Sequence, residues 1–274
     1  MSKMRKKMLV VDIDGTLVND EKEITKKTLE KIHMMIEEGH YVVIATGRPT
    51  KGVKKIAKKL NFDDKGGYVV SFNGARVVDW KSEEVLYEKS LENKFIPEIL
   101  EKVREYDLGF VTYDKDYIIA GTDIDEYMSL ESEITDISVK EPDDFFDYVD
   151  FDVSKCIITC DPDIAGKFES KFQEMSKGRY EVYRSADFFI DVVAKGVDKY
   201  SAVEELAKKL GVEHRDVICC GDSYNDISMI EGAGIGVAMG NAVEEAKSVA
   251  DYVTLSNNDD GIAKVIDKFV FNIA

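Results

Sequence analysis

The chain has 274 residues, of which 44% are hydrophobic and 33% are charged, enough for one large domain or two modest ones. Its 54 acidic residues outnumber the 37 Lys and Arg, and the formal net charge of -17 excludes a nonspecific binder of nucleic acid or anionic lipid. The longest apolar runs, such as 8–11 and 41–45, are far shorter than the roughly 18 residues that a membrane span needs. The basic start, 1–7, precedes too short an apolar run for a signal peptide, so we expect a cytoplasmic protein.

The cysteines predict buried side chains and no metal site. The chain has four of them, in two clusters within apolar segments that resemble strands. Their spacing differs from the paired two-residue spacing of a zinc knuckle. We therefore expect the cysteines to be small buried hydrophobic residues. They are Cys156, Cys160, Cys219 and Cys220.

The beginning of the chain alternates short β-branched runs with helical patterns. This alternation is typical of a parallel sheet whose strands are connected by helices. The predicted elements are strand 7–11, helix 25–38, strand 41–45, helix 50–60 and strand 68–71.

The middle of the chain has a different pattern, in which short strands follow one another through tight turns and two helices interrupt them. This pattern is typical of an α+β domain. The predicted strands are 76–79, 85–87, 109–113, 116–119, 155–160 and 180–183, and the predicted helices are 92–106 and 164–175.

The last third returns to the alternation of the beginning. The predicted helices are 199–210, 223–230, 242–250 and 261–271, and the predicted strands are 216–220, 234–239 and 252–255. Both ends of the chain should therefore build one α/β layer. We predict a Rossmann-like parallel sheet core with helices on both faces, formed by residues 1–82 and 188–274, and an inserted α+β cap domain over 83–187.

Two carboxylates, Asp12 and Asp14, follow the first predicted strand and precede Gly15. Side chains two positions apart on a strand share a face, and ligands of an open parallel sheet bind beyond the carboxyl ends of its strands. Two negative charges this close favour a bound cation, and hard oxygen ligands suit Mg²⁺. The alternative is an ordinary Asp-Gly turn with a solvated acid.

A second polar group, Asp222, Asn225 and Asp226, follows the predicted strand 216–220. Polar residues are costly to bury unless they serve a ligand or a helix cap. Asp222 would be the natural third oxygen ligand of the metal. The alternative is that Ser223 and Asn225 only cap the helix that follows.

Two further segments offer groups that bind phosphate. Thr46, Gly47 and Arg48 follow the strand 41–45. A hydroxyl beside free backbone N–H groups at a helix start can donate hydrogen bonds to a phosphate group. Lys199 opens the helix 199–210, where its ammonium could neutralise a phosphoryl group. Taken alone, the first segment could be only a turn, and the lysine could be only a solvated side chain.

Together, the four segments resemble, in order, the four motifs of the haloacid dehalogenase-like hydrolase superfamily, in its Cof-like subclass of phosphatases with a large inserted cap domain. They are D-I-D-G-T-L from Asp12, T-G-R-P from Thr46, Lys199, and G-D-S-Y-N-D ending at Asp226. Supporting segments are S-F-N-G-A from Ser71, G-I-G-V-A-M-G-N-A from Gly234 and N-N-D-D-G-I from Asn257. The resemblance spans the core, and little of it falls in the inserted domain.

The third motif departs from the family's pattern. Tyr200 follows Lys199 where the family often has glycine, and Lys195 is a competing cation four residues earlier. We prefer Lys199 as the phosphate-contacting lysine because it directly opens the helix.

The resemblance implies a Mg²⁺-dependent phosphoric monoester hydrolase. Asp12 would attack phosphorus and form an aspartyl phosphate, and Asp14 would protonate the leaving oxygen and then activate water. The resemblance places Mg²⁺ on Asp12, Asp14 and Asp222, with Asp226 as a further acidic contact, and the phosphoryl oxygens on Thr46, Gly47, Lys199 and Asn225. Candidates for contacts to the leaving group are Arg48, Asn73 and Gly74.

The expected substrate is a small phosphorylated metabolite, with sugar phosphates the favoured class, and no nucleic acid or membrane partner is expected. A phosphomutase of the same superfamily would use the same aspartyl phosphate but return the phosphoryl group to another hydroxyl. A phospholigand-binding protein without activity is the third alternative. Nothing in the sequence predicts an oligomeric state.

Overall fold

The computed structural model describes residues 5–273, so the first four residues of the basic start, and Ala274, lie outside the described part. The chain forms two compact units, each with its own hydrophobic core. The first unit contains the chain up to Gly47, Lys54–Tyr87 and the chain from Asp198 onward. The second unit contains Arg48–Val53 and Glu88–Val197.

Short strands and helices succeed one another along residues 5–273. The strands are β1 (Met8–Val11), β2 (Tyr41–Ala45), β3 (Tyr68–Ser71), β4 (Arg76–Asp79), β5 (Glu84–Glu88), β6 (Gly109–Tyr113), β7 (Ile118–Ala120), β8 (Val139–Lys140), β9 (Cys156–Thr159), β10 (Tyr180–Ala186), β11 (Phe189–Ala194), β12 (Val217–Gly221), β13 (Ile235–Ala238) and β14 (Tyr252–Val253). The α-helices are α1 (Lys26–Glu37), α2 (Lys54–Lys59), α3 (Phe62–Lys65), α4 (Ile96–Glu105), α5 (Glu126–Thr135), α6 (Phe145–Tyr148), α7 (Pro162–Ser176), α8 (Lys199–Leu210), α9 (Ile227–Gly232), α10 (Glu244–Val249) and α11 (Gly261–Val265).

The first unit is built on an eight-stranded sheet in the order β14-β13-β12-β1-β2-β3-β4-β5. The strands from β14 to β3 pair in parallel, and β4 pairs antiparallel with β3. Val11 at the end of β1 lies opposite Cys220 of β12 and Ile44 of β2. This register brings the carboxyl ends of three strands, and the loops that follow them, to one edge of the sheet.

Strand β1 is buried on both faces because helices cover both sides of the sheet. Met8 and Val10 pack in a cluster with Val203 and Leu206 of α8. The alternate residue Leu9 is equally buried and points to the opposite face, where α1 packs against the neighbouring strand β2. A continuous apolar run, without polar alternation, is what a central parallel strand requires.

The second unit contains a six-stranded sheet in the order β10-β11-β9-β6-β7-β8. Its pairs are antiparallel except for β7 with β8. One face forms a core with the helices α4 and α7, in which Leu100 and Phe172 join Phe110 and Ile158 of the sheet.

The predicted fold class is confirmed, with a parallel sheet and helices in the first unit and an α+β arrangement in the second. The sequence predicts an inserted domain over 83–187, whereas the second unit contains Arg48–Val53 and Glu88–Val197. Strand β5, which overlaps the strand predicted at 85–87 inside the inserted domain, extends the sheet of the first unit beyond β4. Strand β11 pairs with β9 and β10, so the second unit continues to Val197.

Helix α5 was not predicted because its buried side is unusually polar. Its buried residues are Met128, Glu131 and Thr135, two of them polar, whereas the apolar Ile134 is exposed, so the buried side does not follow the apolar positions of the sequence. Asp125 caps the helix, with its carboxylate accepting a hydrogen bond from the Met128 N–H.

The four cysteines are all buried with free thiols, as their apolar surroundings in the sequence suggested. Burial raises the pKa of the Cys156 thiol to about 12 and that of the Cys160 thiol to about 11. None of the helices within residues 5–273 combines the length and the hydrophobicity that crossing a membrane requires.

Candidate active site

Three carboxylates from the ends of two neighbouring strands meet in the first unit. Asp12 follows β1 and Asp222 follows β12, and the Asp12 N–H donates to the carbonyl of Cys220 over 3.1 Å. Asp12, Asp222 and Asp226 each offer an oxygen, and these oxygens lie within 4.8 Å of one another. Such a set of hard oxygen donors around one point fits Mg²⁺. The site therefore places Asp12 and Asp222 close enough to share one ion.

The ammonium of Lys199 lies between two of these acids. Its Nζ donates to Asp12 Oδ1 over 2.7 Å and to Asp226 Oδ1 over 2.6 Å. The lysine side chain is completely buried, so the pair of carboxylates compensates a charge that water cannot reach. Lys195, the competing lysine, is an exposed residue of the second unit. Lys199 is therefore the lysine that contacts Asp12.

Burial controls the protonation of the acids. It raises the pKa of Asp12 to about 7, with the Lys199 charge opposing this shift and the Asp226 charge adding to it. Burial likewise raises the pKa of Asp222 to about 6, against the hydrogen bond from Thr16. For Lys199, burial would lower the pKa, but the charges of Asp12 and Asp226 overcome it and raise the pKa above its usual value. The crowded acids thus favour additional positive charge beside them.

Asp226 combines a structural role with its contact to Lys199. Its second oxygen, Oδ2, accepts hydrogen bonds from the N–H groups of Asp222 and Ser223, at 3.0 and 3.1 Å. With the Ser223 side chain it completes a capping box at the short helical turn Tyr224–Asp226. The cap considered from the sequence is therefore present for Ser223, with Asp226 as its partner, whereas the Asn225 side chain is hydrogen-bonded to Asn73. Asp226 also belongs to the carboxylate cluster.

Asp14 lies on a more exposed side of the same turn. Its side chain is 43% exposed, and the Lys22 ammonium is 3.1 Å from its Oδ1. Its carboxylate does not belong to the cluster of Asp12, Asp222 and Asp226. Access to solvent suits a group that exchanges protons with a leaving group and with water.

Gly15 and Thr16 bring the turn after β1 into contact with Asp222. Gly15 has φ +78°, and a Cβ at this position would lie 2.3 Å from Asp222 Oδ2. The Thr16 hydroxyl donates to Asp222 Oδ1 over 2.7 Å. Thr16 was absent from the predicted site residues, although its place directly after the D-x-D-G segment was the available signal.

Thr46, Gly47, Asn73 and Asn225 form a second polar group in the first unit. Thr46 is buried at the end of β2, and its carbonyl accepts from the Asn73 N–H over 3.0 Å. The Asn225 amide donates to Asn73 Oδ1 over 3.1 Å. A Cβ on Gly47 would lie 3.1 Å from that same Asn73 oxygen. The structure thus brings together four of the residues that the sequence predicted to hold substrate.

The turn that carries Asn73 is strained. Phe72 and Asn73 both have φ +53°, and Gly74 has φ +105°. A left-handed conformation is unusual for phenylalanine, and strained residues are concentrated at functional sites. A Cβ on Gly74 would lie 2.1 Å from the carbonyl oxygen of Asp198, so glycine permits the close approach of this turn to the start of α8.

Arg48 differs from the other predicted residues because it belongs to the second unit. It begins the short segment Arg48–Val53, which groups with that unit. There its positive charge opposes the raised pKa of Glu131 on α5.

Comparisons with known proteins agree on one family. A family profile described as haloacid dehalogenase-like hydrolase matches residues 9–266. The Bacillus subtilis protein 5-amino-6-(5-phospho-D-ribitylamino)uracil phosphatase YcsE is 31% identical over 266 residues, covering 96% of this chain and 96% of the relative.

Two solved structures extend this similarity to the fold. A haloacid dehalogenase-like hydrolase from Bacteroides thetaiotaomicron has a TM-score of 0.90 and 37% identity, over 96% of this chain and 99% of that one. A sugar phosphatase of subclass IIB has a TM-score of 0.82 and 28% identity, over 97% and 99% of the two chains.

Proposed function

Because the chain belongs to the haloacid dehalogenase-like hydrolase family and is a phosphoric monoester hydrolase of it, we propose that it is a Mg²⁺-dependent phosphatase of small phosphorylated metabolites that forms an aspartyl phosphate. The family predicted from the motifs is thereby confirmed. The finer proposal is carried by one observation, the Asp12 carboxylate that is hydrogen-bonded to a buried ammonium and has an oxygen within 4.8 Å of oxygens of two further acids.

In the proposed reaction, an Asp12 oxygen attacks phosphorus, and the bond from phosphorus to the leaving oxygen breaks. Asp14 gives its proton to that oxygen, so the leaving group departs as an alcohol. In the second step Asp14 takes a proton from water, whose oxygen attacks the phosphorus of the aspartyl phosphate. Phosphate is released and the Asp12 carboxylate is restored.

Positioning and charge neutralisation would supply most of the rate enhancement. We assign the contacts to phosphoryl oxygens to Thr46, Gly47, Lys199 and Asn225. Asp12, Asp14 and Asp222 would hold Mg²⁺, Asp14 through its backbone carbonyl as the family resemblance implies, with Asp226 as a further acidic contact. When bound, Mg²⁺ would offset the negative charge that the phosphoryl group brings to these carboxylates.

The substrate is proposed to be a sugar phosphate or a related small phosphate ester. Support comes from the relatives, one a sugar phosphatase and one a phosphatase of a phosphoribitylamino compound. Arg48, Asn73 and Gly74 stay candidates for contacts to the leaving group.

Turnover of a generic aryl phosphate and of a panel of phosphorylated metabolites, with Mg²⁺ and with chelator, tests the proposal. We expect turnover that requires Mg²⁺ and disappears in Asp12→Asn, and mass spectrometry of acid-quenched enzyme should find one phosphoryl group on Asp12. Sugar 1-phosphate converted to an isomer without free phosphate would favour the mutase. Binding of phosphate esters without turnover would favour a phospholigand-binding protein without activity.

A matched pair of lysine variants tests the assignment of the cation. Lys199→Ala should abolish turnover, whereas Lys195→Ala should retain it, because only Lys199 contacts Asp12. Loss of turnover in Lys195→Ala alone would contradict the assignment.

A further inference from the structure

Two asparagines outside the proposed catalytic set are hydrogen-bonded to the turn that carries Asp12 and Asp14. Asn241, in the loop after β13, donates from Nδ2 to the carbonyl of Gly15 over 2.8 Å. Asn257, in the loop after β14, donates from Nδ2 to the carbonyl of Val18 over 3.0 Å. The turn is thus held at two carbonyls, one directly after Asp14 and one at its far end.

The two asparagines are also bonded to each other. The Asn257 N–H donates to Asn241 Oδ1 over 3.0 Å, so the Asn241 side chain is held from one side while it holds Gly15 from the other. Asn257 is 6% exposed, whereas Asn241 is accessible to solvent. Although the Asn241 amide is accessible to solvent, hydrogen bonds at both its nitrogen and its oxygen fix its orientation.

The loop that carries Asn241 also contacts the second acid-bearing loop. The Val243 N–H donates to the carbonyl of Asp222 over 2.9 Å, and the Met239 N–H donates to that of Gly221 over 3.0 Å. Gly240 lies so close to residues 254–256 that a Cβ would be 2.9 Å from the Ser256 nitrogen. One loop therefore contacts the backbone on both sides of the carboxylate cluster.

We propose that Asn241, held by Asn257, is a positioning residue that sets the distance between the Asp12 and Asp222 carboxylates. The pair acts through the Gly15 and Val18 carbonyls, and neither asparagine is among the residues assigned above to the phosphoryl group or to Mg²⁺. This inference rests on the proposed function, because the distance that it sets is the one a shared Mg²⁺ would need. Partners that orient metal ligands in this way typically change metal affinity or activity about 10-fold to 100-fold when removed.

The first experiment measures the local stability of the turn after β1 in the absence of metal, by amide hydrogen exchange. Hydrogen exchange of the Leu17 and Val18 amides, which bond to the Asp12 and Ile13 carbonyls, should be faster in Asn241→Ala than in the wild type in chelator. Asn258→Ala is the matched control, since Asn258 is an exposed asparagine whose side chain is hydrogen-bonded to Asp20, beyond the far end of the turn. Its exchange at Leu17 and Val18 should equal that of the wild type.

The second experiment measures Mg²⁺ binding by calorimetry. Asn241→Ala should raise the Mg²⁺ dissociation constant by about 10-fold to 100-fold. The midpoint of its thermal unfolding in chelator should equal that of the wild type. Asn241→Asp keeps the acceptor for the Asn257 N–H but loses the donor to Gly15, so it should bind Mg²⁺ as weakly as Asn241→Ala. The double variant Asn241→Ala/Asn257→Ala should bind Mg²⁺ more weakly than either single variant, because Asn257 also holds the Val18 carbonyl directly.

Kinetics add a readout that a purely structural role would not move. At saturating Mg²⁺, Asn241→Ala should lower kcat while KM for the phosphate ester stays near that of the wild type. Wild-type Mg²⁺ affinity in Asn241→Ala, with or without faster exchange, would overturn the inference. A wild-type protein that neither binds Mg²⁺ nor hydrolyses phosphate esters would instead overturn the proposed function.

Discussion

Gly15 is a position where the absence of a side chain allows the turn after β1 to approach Asp222. It shares a left-handed backbone with Gly39, at φ +78° and +82°, but only Gly15 faces a neighbour, Asp222, within contact distance. At Gly39 a Cβ would meet nothing within 4 Å. The two glycines therefore separate backbone strain from the requirement for close approach.

We predict that Gly15→Ala and Gly39→Ala each lower the free energy of unfolding by about 1–2 kcal/mol, the strain of a left-handed alanine. Only Gly15→Ala should also lower kcat/KM, by about 10-fold to 100-fold, because its Cβ displaces Asp222. Urea unfolding and steady-state kinetics of both variants measure this. Equal kinetic effects at the two positions would contradict it.

Glu131 of α5 is a buried acid whose surroundings only partly compensate its charge. The Tyr113 hydroxyl donates to its Oε1 over 2.6 Å. Burial raises the pKa of Glu131 from 4.5, against the opposing effects of Lys155, Tyr113 and Arg48 and with a contribution from Asp191. The folded protein therefore keeps a proton at this site that the unfolded chain releases above about pH 4.5.

Because of this proton, the Glu131 contribution to stability should fall as the pH rises from 4.5 to its raised folded-state value. Glu131→Gln cannot ionise, so its free energy of unfolding relative to the wild type should increase with pH over that window. Urea unfolding at about pH 4.5, 6 and 7.5 measures the difference. Glu133→Gln, at an exposed position of the same helix, is the control and should show no such trend. A difference that shrinks as the pH rises would contradict the prediction.

At the scale of elements, the start of α8 links helix stability to the site. Lys199 is the first residue of this helix, and Asp198 caps it by accepting a hydrogen bond from the Ser201 N–H over 3.0 Å. The cap fixes the backbone from which the buried lysine reaches Asp12.

Asp198→Ala should lower the free energy of unfolding by about 1 kcal/mol, the usual effect of losing a helix cap. It should also reduce kcat by about 10-fold to 100-fold, because the backbone of Lys199 is no longer held in place by the cap. Asp198→Asn keeps a side-chain oxygen that can accept the hydrogen bond from the Ser201 N–H, so it should retain most of the wild-type stability and kcat. Asp161→Ala removes the equivalent cap of α7 in the second unit, and it should affect stability without changing kcat for a small aryl phosphate.

At the scale of the whole molecule, each unit contains its own pair of buried cysteines. Cys219 and Cys220 lie on β12, which ends directly before Asp222, whereas Cys156 and Cys160 lie at β9 in the second unit. Labelling of buried thiols requires local opening, so each pair reports on the unit that contains it.

We predict that Mg²⁺ at about 100 times its dissociation constant slows the labelling of Cys219 and Cys220 by about 100-fold, because opening β12 releases the ion. The labelling of Cys156 and Cys160 should be unchanged. Peptide mass spectrometry after timed alkylation, with Mg²⁺ and with chelator, distinguishes the four thiols. Equal slowing of all four would contradict the prediction, and Asp222→Asn should remove the effect altogether.

Much of this architecture could be read from local patterns. The bounds of β2, β3, β4, β6 and α8 agree with the predicted ones, because each is a strongly patterned run that ends at a turn or a cap. Helix α5 could not be predicted, because its buried Glu131 and Thr135 are satisfied by partners distant in sequence or by its own backbone. The assignment of β5 to the first sheet depends on pairing between strands, which a single strand's pattern does not contain.

The sequence by itself determined the family, the alternating α/β core and the residue types available for chemistry, because strand and helix periodicity and short motifs are local properties. Only the tertiary structure decided that Lys199 rather than Lys195 contacts Asp12, that Asp226 also caps its own loop, and that Thr16 and Asn241 hold the acid-bearing turns. These contacts join residues as far apart as Gly15 and Asn241. Burial and register, which arise only when the sheet forms, determine which of the available partners meet.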